Sequence, residues 1–113
     1  MTAPRFRPSM VFANPRHFGR RKSPETNPKC TLAKGEIAWA LFQHRAAYAV
    51  TLELKHLNKT VPWLAKRLGE NADWLLRKLR GHAPADLGEI LQWALVLGVH
   101  VLPPVNDLDE LEL

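Results

Sequence analysis

Residues 64–81, LAKRLGENADWLLRKLRG, contain two short amphipathic runs joined by the polar triplet 69–71. Leucines recur three or four residues apart on both sides of this triplet, which predicts one inward face on each helix. Gly69 can adopt the positive φ that ends a helix, and Asn71 can cap the helix that follows. The stretch therefore predicts two short helices that meet at a close corner, the second spanning residues 72–80 and ending at Gly81.

The flanking sequence predicts further helices. Thr60 can cap the first helix of the corner, and Pro62 suits a first turn that needs no amide donor. Asp86 and Glu89 resemble a capping box ahead of a helix that ends at Gly98. Upstream, residues 33–56 have no proline and predict a long first helix, with a break near Thr51 or a strand over 50–54 as alternatives. The fold class predicted is all-α.

Charge and proline content divide the chain into three regions. Residues 1–34 hold five of the nine prolines and eight Lys or Arg against one acid, which predicts a flexible basic, Pro-rich arm over residues 1–33. Residues 34–104 hold all four tryptophans and predict the folded domain. Residues 105–113 carry four acids and no base, which predicts a short acidic tail.

Composition argues against several classes of protein. Cys30 is the single cysteine, so the chain suits a reducing cytosol, and its histidines are not spaced as metal ligands. No segment has the length of apolar sequence that spans a membrane. An Arg-rich, acid-poor start is also found in transit peptides, but its prolines would break the amphipathic helix that such signals use. No catalytic constellation or phosphate-cradling glycine loop is present, so we expect neither an enzyme nor a cofactor.

A longer stretch of sequence around the corner supports the prediction of two helices that meet there. The chain has Thr60, then LAKRLG over 64–69, then Asn71 and Leu75, then Arg80-Gly81, Pro84 and LVLGV over 95–99. Over about residues 34–99 this arrangement resembles the phage repressor and Cro-like (XRE) family of helix-turn-helix DNA-binding domains. The resemblance implies a lambda-repressor-like domain of four or five helices that binds double-stranded DNA as a homodimer. Two positions depart from the family pattern: Val61 stands where Gln is frequent, and Lys78 stands at a usually apolar position.

The same resemblance assigns the helix over 72–80 to base reading. The family's base-contact positions fall on Ala72, Asp73, Leu76 and Arg77 of this sequence. The family's phosphate-contact positions fall on Lys59, Thr60, Asn71, Arg80 and His82. Arg77 has the chemistry for a bidentate pair with guanine, and Asp73 can accept from cytosine or serve only as a helix-dipole partner.

Further predictions concern basic and aromatic side chains outside the base-contact and phosphate-contact positions. The arm could follow phosphates or enter a minor groove through Arg5, Arg7, Arg16, Arg20, Arg21 and Lys22. Trp74 is expected to pack across the corner onto the preceding helix, where Trp63 is a candidate neighbour, and stacking on DNA is the alternative. The wide apolar face between Trp39 and Val50 is a candidate dimer interface.

These observations predict a sequence-specific DNA-binding protein, most simply a transcriptional repressor or regulator that is cytoplasmic and associated with the nucleoid through DNA. One alternative is the antitoxin of a toxin–antitoxin pair that represses its own operon. Another is a helical adaptor that binds protein, supported by Val61, Lys78 and the acidic tail. The tail's alternating acids and leucines would suit a protein partner.

Overall fold

The computed structural model describes residues 6–98, and they form a mostly helical domain. Two short 3₁₀ helices, Pro8–Val11 and Pro15–His17, precede four α-helices. These are α1 (Lys34–His56), α2 (Val61–Leu68), α3 (Ala72–Leu79) and α4 (Leu87–Leu97). Between residues 6 and 98 the only β-type pairing is a single bridge from Phe12 to Thr26. The predicted all-α class is confirmed, whereas the acidic tail and Arg5 lie outside the described residues.

The helix starts follow the predicted caps. The Thr60 Oγ1 accepts from the Trp63 amide at 3.3 Å, and the Asn71 Oδ1 accepts from the Trp74 amide at 3.0 Å. The Asp86 Oδ1 accepts from the Glu89 amide at 2.8 Å, while the Glu89 side chain accepts from the Asp86 amide at 3.2 Å. Each bond satisfies an amide that the first turn of a helix leaves without a partner. The predicted cap residues are confirmed.

The long first helix is continuous. Residues 50–54, the segment with strand-like alternation, lie inside α1, and the Thr51 hydroxyl donates to the Ala47 carbonyl at 2.9 Å without interrupting the helix. Helix α1 is buried on more than one side, because α3, α4 and the residues before it all pack against it. Helix α2 packs instead against α3 and α4.

The N-terminal segment, defined here as residues 6–32, is packed against the helices. Val11, Phe12 and Phe18 are each 2% exposed or less and belong to the same core as the helices. The Phe12 and Phe18 rings meet the His44 ring of α1 edge-on, with centroids 4.7 and 5.4 Å away. The prediction of a flexible arm over residues 1–33 is therefore wrong for the N-terminal segment, because its large apolar side chains complete the core.

This packing also corrects the candidate dimer interface. Most of the predicted face between Trp39 and Val50 is covered within the chain: Phe42, Ala46 and Val50 are buried, whereas Trp39 and Ala49 are half-buried. The apparent excess of apolar surface on α1 is explained by the N-terminal segment, which contacts it. Within residues 6–98, no helix is both long and apolar enough to cross a membrane.

Candidate nucleic-acid interface

Helix α3 has a clear inner and outer side. Leu75 and Leu79 are buried in the core, as their spacing predicts. Asp73 and Arg77 are exposed on the opposite side. Ala72 and Leu76, the other two predicted base-contact positions, are half-buried, and Ala72 packs against the core. The polar members of the predicted set are therefore the ones most available to a ligand.

Lys78 lies inside the domain, in an ion-paired cluster that sequence reasoning did not find. Its side chain is only 7% exposed, and its Nζ donates to the Glu70 carboxylate at 2.5 Å and to the Glu89 carboxylate. Burial lowers the pKa of Lys78, but the hydrogen bonds to Glu70 and Glu89 outweigh that effect, so the pKa lies above its ordinary value. Lys78 thereby ties α3 to the corner before it and to α4.

A basic surface lies at the carboxyl-terminal end of α3, and the N-terminal segment contributes half of it. Arg80 and His82 line a cavity of about 280 Å³ together with Arg16 and Arg20 of the N-terminal segment. Arg77, Arg80 and His82 also line an adjoining cavity of about 230 Å³ with Asp73 and Leu76. We call the side chains of this surface the arginine cluster: Arg7, Arg16, Arg20, Arg77, Arg80 and His82.

The electrostatics of the cluster are repulsive. Burial, together with Arg7, Arg80, Arg77 and Arg20, lowers the pKa of His82. Burial and the neighbouring Arg20 lower the pKa of Arg80. Asp73 is the one acidic side chain among the residues that line the two cavities. A bound anion would relieve this repulsion, since opposite charge favours the protonated forms.

Tight packing holds the basic residues of the N-terminal segment beside those at the end of α3. The Ser9 amide donates to the Gly81 carbonyl at 3.1 Å, directly after α3 ends. Gly81 has a φ of +74°, and a Cβ there would lie 2.7 Å from the Phe18 ring. Gly19 has a φ of +70°, its amide donates to the His44 Nδ1 at 2.9 Å, and a Cβ there would overlap the Leu79 carbonyl oxygen. The two glycines let the N-terminal segment approach the end of α3 closely.

The remaining predicted phosphate contacts lie elsewhere or serve the helix ends. The ammonium of Lys59 lies 5.4 Å from the centroid of the Trp63 ring, at the start of α2. Thr60 and Asn71 are exposed, but their side-chain oxygens already accept cap hydrogen bonds. Arg21 and Lys22 are exposed in the N-terminal segment, and neither lines the two cavities of the arginine cluster.

Trp74 does not pack beside Trp63 as expected. Its side chain is 40% exposed, and the cationic groups of Arg77 and Lys78 lie 5.4 and 5.3 Å from its ring centroid. Trp63 is instead accompanied by Arg67, whose guanidinium lies 4.5 Å from the ring centroid. Leu64 of α2 and Leu75 of α3 are fully buried, whereas Trp74 lies on the exposed side of α3.

No group of three or more His, Cys, Asp or Glu side chains within residues 6–98 is placed to hold a metal ion. Comparison of the chain with protein-family models, with curated protein sequences and with solved structures finds no match in any of the three. The function is therefore inferred from the chemistry of the chain's own side chains.

Proposed function

We propose that this protein binds double-stranded DNA, with the outer side of α3 in the major groove and the arginine cluster on the flanking phosphates. The observation that carries the proposal is the convergence of Arg16, Arg20, Arg77 and Arg80 at one end of α3. Guanidinium groups bind phosphate oxygens through paired hydrogen bonds, and several of them on one face match a charged backbone.

The placement of α2 and α3 supports the same proposal. Two eight-residue helices, joined by a three-residue connection, leave one side of the second helix open to solvent. This is the arrangement that a helix-turn-helix uses to present a recognition helix. Arg77 supplies a donor pair for guanine, while Leu76 offers a partly exposed apolar edge for a thymine methyl. The protein would act as a transcriptional regulator by occupying an operator.

The burial of Lys78 favours DNA binding over the alternative of a protein-binding adaptor. A lysine at this usually apolar position of the family pattern supports an adaptor only if its charge is exposed to a protein partner. Lys78 is buried against two carboxylates, so it contributes to the stability of α3 and its neighbours rather than to an outer surface. The departure from the family pattern is compatible with DNA binding by the rest of the helix.

The proposal includes a homodimer in which α4 meets α4 of a second copy. Leu87, Leu91 and Leu95 recur every four residues along α4 and are exposed, Leu95 most of all at 83%. A stripe of this kind can pair with its own copy around a two-fold axis, which would also match a palindromic operator. Sedimentation equilibrium should show a dimer for the wild type and a monomer for Leu91→Glu. A monomeric wild type would remove the dimer from the proposal.

Selection of bound sequences from random duplex DNA tests the proposed DNA binding. We expect a palindromic sequence whose half-sites lie about one helical turn, 10 bp, apart. Arg77→Ala should relax the preference at one guanine and weaken binding to the selected site by about 1–3 kcal/mol. Lys66→Ala, an exposed lysine of α2 outside the arginine cluster, is the matched control. Recovery of no enriched sequence would count against sequence-specific recognition.

A further inference from the structure

A third cavity adjoins the arginine cluster and differs from it in character. Its volume is about 290 Å³, and most of its lining is aromatic or apolar: Phe6, Trp74, His82, Ala83 and Pro84. We call it the aromatic cavity. This volume is just below the range of about 300–1,000 Å³ for ligand sites, which suits one planar ring system better than an extended ligand.

Trp74 lines the aromatic cavity, and its backbone and its ring both have neighbours in the domain. Its amide is bound by the Asn71 cap, and its ring lies near the cationic groups of Arg77 and Lys78. Lys78 is itself fixed by its two carboxylate partners. A large, partly exposed aromatic ring with fixed neighbours is suited to stacking, because little conformational freedom is lost when a second ring binds.

His82 connects the aromatic cavity to the arginine cluster. It lines the aromatic cavity, the cavity with Arg16 and Arg20, and the cavity with Arg77. A planar group beside Trp74 therefore lies next to the surface that is suited to an anion. A ligand that matches both parts combines an aromatic ring with a phosphate a few bonds away, and a nucleotide has this combination.

We propose that the aromatic cavity and the arginine cluster together bind one nucleotide, with its base stacked on Trp74 and its phosphate held by Arg20 and Arg80. The nucleotide could be free or an unpaired residue of a DNA strand. The second source deepens the proposed DNA binding and rests on it, whereas the first does not. Paired bases in a continuous duplex cannot enter the cavity, because their faces are stacked on their neighbours.

The first experiment compares two duplexes of one sequence, one fully paired and one with a single bulged thymidine. Wild-type protein should bind the bulged duplex about 5- to 150-fold more tightly, the range expected for one base stacked on an aromatic side chain. Trp74→Ala should bind both duplexes alike. Trp63→Ala, which removes a tryptophan of α2 outside the aromatic cavity, should keep the preference.

A second measurement uses thymidine 5′-monophosphate, thymidine and inorganic phosphate as probes of the wild-type protein. Calorimetric titration should give tighter binding for the monophosphate than for either partial ligand, since only it fills both parts of the site, and the monophosphate should also compete with the bulged duplex. Because this measurement needs no variant, it holds even where Trp74→Ala fails to fold. A preference for the bulge without competition by the monophosphate would identify unpaired DNA as the source. Competition without a preference for the bulge would identify the free nucleotide.

The outcomes separate this inference from the proposed function. Tight binding of the paired duplex, with no preference for the bulge and no advantage of the monophosphate over phosphate, would overturn the nucleotide site and leave DNA binding intact. Binding of the monophosphate without binding of the paired duplex would overturn the proposed DNA binding and leave the nucleotide site intact. A bulge preference that survives in Trp74→Ala would also overturn the assignment of the base to the aromatic cavity.

Discussion

Removal of the N-terminal segment should unfold the domain. Val11, Phe12 and Phe18 are almost fully buried in the common core. Burying each side chain stabilises a protein by about 1.5–3 kcal/mol, so the three together contribute roughly 4.5–9 kcal/mol. The free energy of unfolding of a domain this size is about 5–15 kcal/mol. A fragment spanning residues 33–113 should therefore be largely unfolded at 25 °C.

Urea denaturation, followed by far-UV circular dichroism and tryptophan fluorescence, measures this effect. Single substitutions in the full-length chain provide the finer test. Phe18→Ala should lower the free energy of unfolding by about 3–5 kcal/mol, because it leaves a cavity in the core. Met10→Ala, in the same segment but exposed, should change it by no more than about 0.5 kcal/mol. A fragment with the same urea midpoint as the full chain, or equal effects of the two substitutions, would refute the reasoning.

Three further predictions concern stability. Lys78→Ala should cost about 2–4 kcal/mol by urea titration, somewhat less than a fully buried ion pair because its carboxylate partners retain some solvent contact; an unchanged midpoint would contradict the assigned ion pairs. Burial lowers the pKa of His44 to about 4 from 6.5, so the unfolded chain binds the proton more readily. The stability from neutral His44 is therefore present above pH 6.5 and falls by up to about 3 kcal/mol toward pH 4. Subtracting the pH profile of His44→Gln should isolate this loss, and identical profiles would argue against it. Gly81→Ala should cost about 2–4 kcal/mol in thermal or urea unfolding, since it adds a clash with Phe18 to the backbone strain. Gly69→Ala, with a φ of +68° and no atom within 4 Å of the added Cβ, should cost only about 1–2 kcal/mol; equal losses at the two glycines would leave the clash without support.

The four helices were predictable because their signals are local. Caps such as Thr60, Asn71 and Asp86 act within three residues of themselves, and leucine spacing records which side of a helix is buried. The exposure of Arg77 and the burial of Leu75 follow from the same periodicity. Local chemistry therefore accounts for most of the helical part of the fold.

The packing of the N-terminal segment was not predictable from periodicity. Val11, Phe12 and Phe18 lie among prolines and arginines with no repeating apolar pattern, and the proline and charge content favoured a flexible arm. One signal was available: three of the chain's four phenylalanines lie within residues 6–18, whereas disordered segments are poor in aromatic residues.

The surroundings of Lys78 and Trp74 depend on contacts between distant residues. Lys78 meets Glu70, eight residues before it, and Glu89, eleven residues after it, and neither spacing places side chains together on one helix. The aromatic cavity joins Phe6 to Trp74 and Pro84 only after the N-terminal segment has packed against the end of α3. Individual arginines could be proposed as anion contacts from the sequence, but their convergence depends on this packing.

The dependence of duplex DNA binding on salt concentration tests the central claim most directly. For the wild type, the logarithm of the association constant should fall linearly with the logarithm of salt concentration, with a slope of about −0.9 for each phosphate neutralised. Arg20→Gln with Arg80→Gln should make that slope shallower by about 2, since two phosphate contacts are lost. Lys66→Gln with Arg67→Gln, the same change of charge on α2, should leave the slope unchanged. Equal slopes for the wild type and the Arg20/Arg80 variant would contradict the assignment of the arginine cluster to DNA phosphates.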